Sequence, residues 1–132
     1  MNLPNLFALI AADPAVTAII GTAPVRFYPY GSAPQGVTAP YLTQFGASIA
    51  PINTLERDAS RADSALVQVS CWSDNVGNAM GGVHALAEAV RTCIEREHLI
   101  ESVRDMRKDI ETGRYRIDFD VRVHVHRDSA SS

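Results

Sequence analysis

From Tyr115 to Val125 the chain alternates without a break. Tyr115, Ile117, Phe119, Val121, Val123 and Val125 fall on one side, and Arg114, Arg116, Asp118, Asp120, Arg122, His124 and His126 on the other. Successive side chains of a β-strand point to opposite faces, so this period of two predicts a strand with one buried and one wet face. At about 3.3 Å per residue the strand would be roughly 40 Å long and is expected to outrun the core of a small domain. It needs partner strands and a second layer to cover its apolar side. With 132 residues, 46% of them hydrophobic, the chain suits one domain with its own core, and wholesale disorder is excluded.

Other elements follow from local signals. Leu3, Leu6, Phe7 and Ile10 recur at helical spacing, with Asn2 as a candidate cap. Asp13-Pro14 pairs a capping side chain with proline at the first helical position, which predicts a short helix over 14–20 stopped by Gly21. Val25–Tyr28, Tyr41–Ala47 and Ala65–Trp72 read as strands. Trp72 and Leu66 on the polar side of the last suggest that even its second face is partly covered. Val76, Met80, Val83, Ala87, Val90 and Ile94 form one helical stripe, predicting a long helix over 76–97, weakened at its start by Gly77, Gly81 and Gly82. A strand over 102–110 and a turn at Glu111-Thr112-Gly113 lead into the alternating strand. Residues 48–64 lack periodicity and read as a projecting arm or long loop.

The expected fold is α+β, a single domain over 1–126 followed by a flexible polar tail, 127–132. Its core is a small, mainly antiparallel sheet of about four to five strands. The long helix and the N-terminal helices pack on one face.

Charge narrows the function. The formal net charge is −3, from 12 basic and 15 acidic residues, a poor footprint for gripping nucleic acid or an anionic membrane. Residues 67–132 hold 20 charged side chains against 7 in the first half, so the second half is expected to supply solvated or interfacial faces. Cys71 and Cys93 sit in apolar patterns and read as buried free thiols rather than a disulfide framework. No basic residue precedes Arg26 and the apolar runs are short, so neither a signal peptide nor a membrane span is expected.

No catalytic or cofactor constellation stands out. His124 and His126 share a strand face but lack the further ligands that zinc prefers. Asp118 and Asp120 resemble a carboxylate pair, although cross-strand pairing with a basic neighbour explains them better. The glycines of 77–82 lack the Gly-Lys-Ser/Thr end of a phosphate loop, and Cys93 beside His84 or His98 sits against an apolar stripe where thiols are inert. No metal or cofactor is expected. Eleven of the 12 basic residues are arginine, Lys108 being the sole lysine, and arginine is the cation favoured at interfaces. The candidate contact residues are Leu55, Glu56, Arg57, Asp58 and Arg61 in the 48–64 segment, and Arg104, Arg107 and Lys108 in the charged segment before the last strand.

Several stretches together resemble one family. Ala12-Asp13-Pro14-Ala15-Val16 through Ile20-Gly21, then Val25-Arg26-Phe27-Tyr28-Pro29, resembles its opening, and Ala39-Pro40-Tyr41-Leu42-Thr43 its second strand. Val67-Gln68-Val69-Ser70-Cys71-Trp72 before a helix carrying Ala85-Leu86-Ala87-Glu88-Ala89-Val90-Arg91 resembles its centre. Thr112-Gly113-Arg114-Tyr115-Arg116 resembles its close. The family is that of the tail-completion, or tail-terminator, proteins of long-tailed bacteriophages. The resemblance implies a non-enzymatic virion protein, assembled in the bacterial cytoplasm into a ring, typically of six. The ring would cap the tail tube, end its growth and receive the head connector or stopper protein. Its implied partners are copies of itself, the major tail tube protein and that connector, with genomic DNA passing through unbound. A sibling neck protein, an adaptor or stopper, is the alternative, and a small metal- or ligand-binding domain a more distant one. A chain of this size is roughly 36 Å across, and six in contact leave an opening of about the same width, enough for a DNA duplex.

Overall fold

A computed structural model describes residues 6–29, 36–51, 62–77 and 81–126, with backbone alone at 47–51, 62–64 and 124–126. The elements, in chain order, are α1 (Phe7–Ala11), α2 (Pro14–Ile20), β1 (Phe27–Pro29), β2 (Tyr41–Pro51), β3 (Ala62–Ser73), α3 (Val83–Glu95), β4 (Leu99–Lys108) and β5 (Tyr115–His126). The five strands form one sheet in the order β1-β2-β3-β5-β4. β1 runs parallel to β2, and every other pairing is antiparallel.

The core lies between one sheet face and the helices. β5 contributes Ile117, Phe119, Val121 and Val123, β3 contributes Val67, Val69 and Cys71, and Phe27 and Leu42 extend the layer towards the edge. Val83, Leu86, Ala87, Val90, Cys93 and Ile94 of α3 meet them, since spacings of three and four place these residues on one side of a helix. β5 continues to His126, paired with Ala62.

Several boundaries differ from the sequence expectation. α3 begins at Val83, not Val76: Gly81 has φ +94°, a conformation that breaks a helix, and Gly82 is the extended N-cap. Val76 is consequently 37% exposed instead of part of the apolar stripe. β2 and β3 reach Pro51 and Ala62, so both ends of the segment expected to lack regular structure belong to a paired hairpin, through Pro51↔Asp63. The pairing of long antiparallel strands overrides their weak periodicity. β4 begins at Leu99, three residues earlier than expected, where Leu99 and Ile100 pair with Arg122 and Val121 of β5. The proposed Asn2 cap, and Leu55, Glu56, Arg57, Asp58 and Arg61, lie outside the described residues.

The N-terminal signals act as read. The Asp13 carboxylate accepts from the N–H groups of Ala15 (2.9 Å) and Val16 (3.2 Å) at the start of α2. It also takes Arg96 Nη1 at 2.9 Å, tying α2 to the end of α3. Burial acts against this carboxylate, but the bonds from Val16, the Cys93 thiol, Ala15 and the charge of Arg96 outweigh it and hold its pKa below the usual value. Gly21 follows α2 at φ +90°, where a Cβ would stand 3.0 Å from Arg26 Nη1. That close approach lets Arg26 donate to the Ile19 and Pro40 carbonyls at 3.2 and 2.9 Å. Both thiols are buried and free. Among the described residues no helix is long and apolar enough to cross a membrane.

Candidate assembly interface

The helices cover only one side of the sheet. Cross-strand register places rows of residues on the other: Tyr41, Trp72 and Arg116 in one, Thr43, Ser70, Asp118 and Arg104 in the next, and Phe45, Gln68, Asp120 and Ser102 in a third. An uncovered antiparallel face ordinarily carries solvated side chains. Here Asp118 is 0% exposed, and Ser70, Tyr41 and Thr43 are buried too.

Arginines form the cover. Asp118 accepts from Ser70 Oγ at 2.6 Å, from Arg107 Nη2 at 2.6 Å, and from Arg116 Nε and Nη2 at 3.2 and 3.0 Å. Arg104 Nη1 stands 3.7 Å from the same carboxylate and makes its closest bonds to Asp120, at 2.9 and 3.0 Å. Burial raises the Asp118 pKa, but the bonds from Arg116 and Ser70 and the charges of Arg116 and Arg107 prevail, leaving it below the usual carboxylate value. Buried charge is tolerated only when paired and hydrogen-bonded, and here it is both.

The three guanidiniums converge through an irregularity of β4. Arg104 and Arg107 are three residues apart, so on a regular strand they would point to opposite faces. The register shifts between them, Arg104 lying opposite Asp118 and Arg107 opposite Arg116. A bulge of this kind inserts an extra residue and re-aims the side chains after it. A second shift, between Ile100 and Ser102, accompanies Glu101, which accepts from Arg122 Nε at 2.7 Å. Such bulges and charges also blunt the free edge of β4.

Beside this network runs an aromatic–cation ladder. Tyr41 stacks on Trp72 with centroids 5.7 Å apart and an interplanar angle of 5°. The Arg116 guanidinium lies 4.9 Å from the Trp72 ring centre, and that of Arg114 lies 5.4 Å from Tyr41. Trp72 Nε1 donates to Thr43 Oγ1 at 3.0 Å, and Arg114 Nε to Asp74 at 3.1 Å. Cation–π and charge-assisted contacts fix the planes of these side chains.

Of the eight residues singled out by sequence, the structure brings Arg104 and Arg107 together over Asp118. It sets Lys108 apart: its register partner is Tyr115, and its Nζ lies 5.8 Å from that ring. Tyr41, Trp72, Arg114 and Arg116 belong to the same face, though they were not among those eight. The signal for the two arginines was present, since the alternation of β5 puts them on the side of Asp118. The pairing expected for Asp118 and Asp120 with basic residues of the preceding strand is observed. Among the described residues, no three His, Cys, Asp or Glu side chains are grouped to hold a metal ion. Cys93 donates to the Leu9 carbonyl at 3.6 Å, and burial, with Asp13 beside it, pushes its thiol up to about 12.

Fold and face together define a small α+β structural domain whose open sheet side is roofed by arginine. The chain belongs to the tail completion proteins of bacteriophages: the family model described as Tail completion protein gp17 matches residues 4–126. That membership makes it a structural component of a phage-type virion tail. Among solved structures it is similar in fold to a chain of a native gene transfer agent (GTA) virion particle. The identity is 18% and the TM-score 0.63, over 92% of this chain and 91% of that one. No match was found among curated proteins.

Proposed function

We propose that the chain is a tail terminator: a ring of identical copies, six in number, that caps the tail tube and ends its growth. The ring gives the head connector its docking surface, and the genome passes through its opening. The family match over residues 4–126 carries this reading, and the fold shared with a chain of a GTA virion supports it. The role is structural rather than catalytic. The partners are further copies of the chain, the major tail tube protein and the head-side connector or stopper. A net charge of −3 suits a lumen through which DNA slides without adhering. Leu55, Glu56, Arg57, Asp58 and Arg61, beyond the β2 end of the hairpin, and Arg104, Arg107 and Lys108 on β4 are the proposed contact residues.

Electron microscopy of particles from a virus lacking this gene tests the role. Overlong or ragged tails lying apart from full heads are expected. Tails of normal length that fail to join would make the chain another neck protein, an adaptor or stopper. Intact particles would overturn both readings.

A further inference from the structure

The open face carries Arg104, Arg107, Arg114, Arg116 and Arg122 against Asp74, Glu101, Asp118 and Asp120. Arg104 is paired with Asp120, Arg114 with Asp74 and Arg122 with Glu101, whereas Arg107 and Arg116 share the carboxylate of Asp118, with the charge of Asp109 within electrostatic reach of both. Arg107 gives Asp118 one bond through Nη2, and its side chain is 46% exposed. Its other N–H groups have no partner among the described residues. Phe45, 49% exposed, stands on the same face, and Trp72 lies beneath Arg116. Arginine, tryptophan and exposed aromatic surface are what interface hot spots are made of.

The helical layer carries the complement. Glu88 on α3 and Glu97 just after it are exposed, and their carboxylates have no hydrogen bond or ion pair with any described residue. Their neighbours on that side are already matched, Arg91 to Glu95 and Arg96 to Asp13. The α3 side thus presents two exposed carboxylates with no ion-pair partner among the described residues, and the sheet side a half-exposed guanidinium that donates one N–H to Asp118.

We infer that the Arg107–Arg116–Trp72 platform of one copy receives the Glu88 and Glu97 side of the next. The inference rests on the ring reading and names its contact. Two different, complementary patches on opposite layers make a head-to-tail interface, which closes into a ring when the rotation between copies is right. DNA is a poorer occupant. Four acids among five arginines would face its phosphates, and a phosphate-binding surface needs a clear basic excess.

Native mass spectrometry of the wild-type chain, alone and with purified tail tubes, is compared with that of a Glu88→Lys/Glu97→Lys variant. Both positions are exposed, so the variant should melt like the wild type by circular dichroism while needing at least tenfold more protein to half-assemble. A second test mixes chains carrying Glu88→Cys with chains carrying Arg107→Cys under mild oxidation. Disulfide-linked pairs are expected in the mixture and not from either chain alone. A wild type that forms rings with a lysine variant that assembles equally well, or with no cross-link in the mixture, overturns this contact and leaves the ring intact. A wild type that forms no ring, alone or on tubes, overturns the ring reading and this inference with it.

Discussion

The two faces of the sheet solve the same problem by different means. On the helical side, Phe119, Val121, Val69 and Leu42 are buried by apolar side chains from α1, α2 and α3. On the open side, Asp118 and Ser70 are buried almost as fully beneath guanidiniums from β4 and β5, and Thr43 beside the Trp72 indole. Apolar burial is non-directional and tolerates repacking. A carboxylate beneath guanidiniums is directional and depends on each partner. The first face therefore holds the fold together, and the second presents fixed polar geometry to whatever meets it.

That contrast can be broken at several points. Phe119→Ala should have the largest effect, about 3–5 kcal/mol of stability lost in denaturant unfolding, because it empties the centre of the apolar face. Asp118→Ala should cost about 2 kcal/mol, below the figure for a fully buried pair, since the released arginines can turn to water. Asp118 also gives the open face an acid signature. Its pKa is lowered in the folded chain from 3.8, so its stabilisation is present above that value and disappears as pH falls through the folded pKa. Acid unfolding of Asp118→Asn should accordingly be shallower than that of the wild type below about pH 4.

Smaller changes sharpen the comparison. Asp13→Ala removes the α2 cap and should cost about 1 kcal/mol, with no effect on the open face. Arg107→Ala should cost less still, under about 1 kcal/mol, because the Arg107 side chain is half exposed and Ser70 and Arg116 still bond the buried Asp118. It should nevertheless weaken assembly, measured as ring mass on tail tubes. Equal losses of stability and assembly in that variant would erase the distinction between the two faces.

Much of this was legible in the sequence. Strict alternation identified β5 and both of its faces, Asp13-Pro14 marked α2, and the spacing of Val83, Ala87, Val90 and Ile94 marked the buried side of α3. Features that depend on non-local pairing were not legible. The β2–β3 hairpin is held by register between residues far apart in sequence, and Gln44 is fully buried because its side chain accepts from Leu6 N–H at 3.1 Å. The convergence of Arg104 and Arg107 needs the β4 bulge, and no spacing rule places residues i and i+3 of a strand on one face. Family resemblance supplied what the residues could not, a place in the virion tail, and the match over 4–126 bears it out.

The central claim is that the arginine-roofed face is an assembly surface. Arginine-selective modification with phenylglyoxal, read residue by residue by mass spectrometry, tests it on the free chain and on the chain assembled at tail tubes. Arg107 and Arg116 are expected to lose most of their reactivity on assembly relative to the free chain. Unchanged reactivity of Arg107 and Arg116 in assembled particles would contradict it.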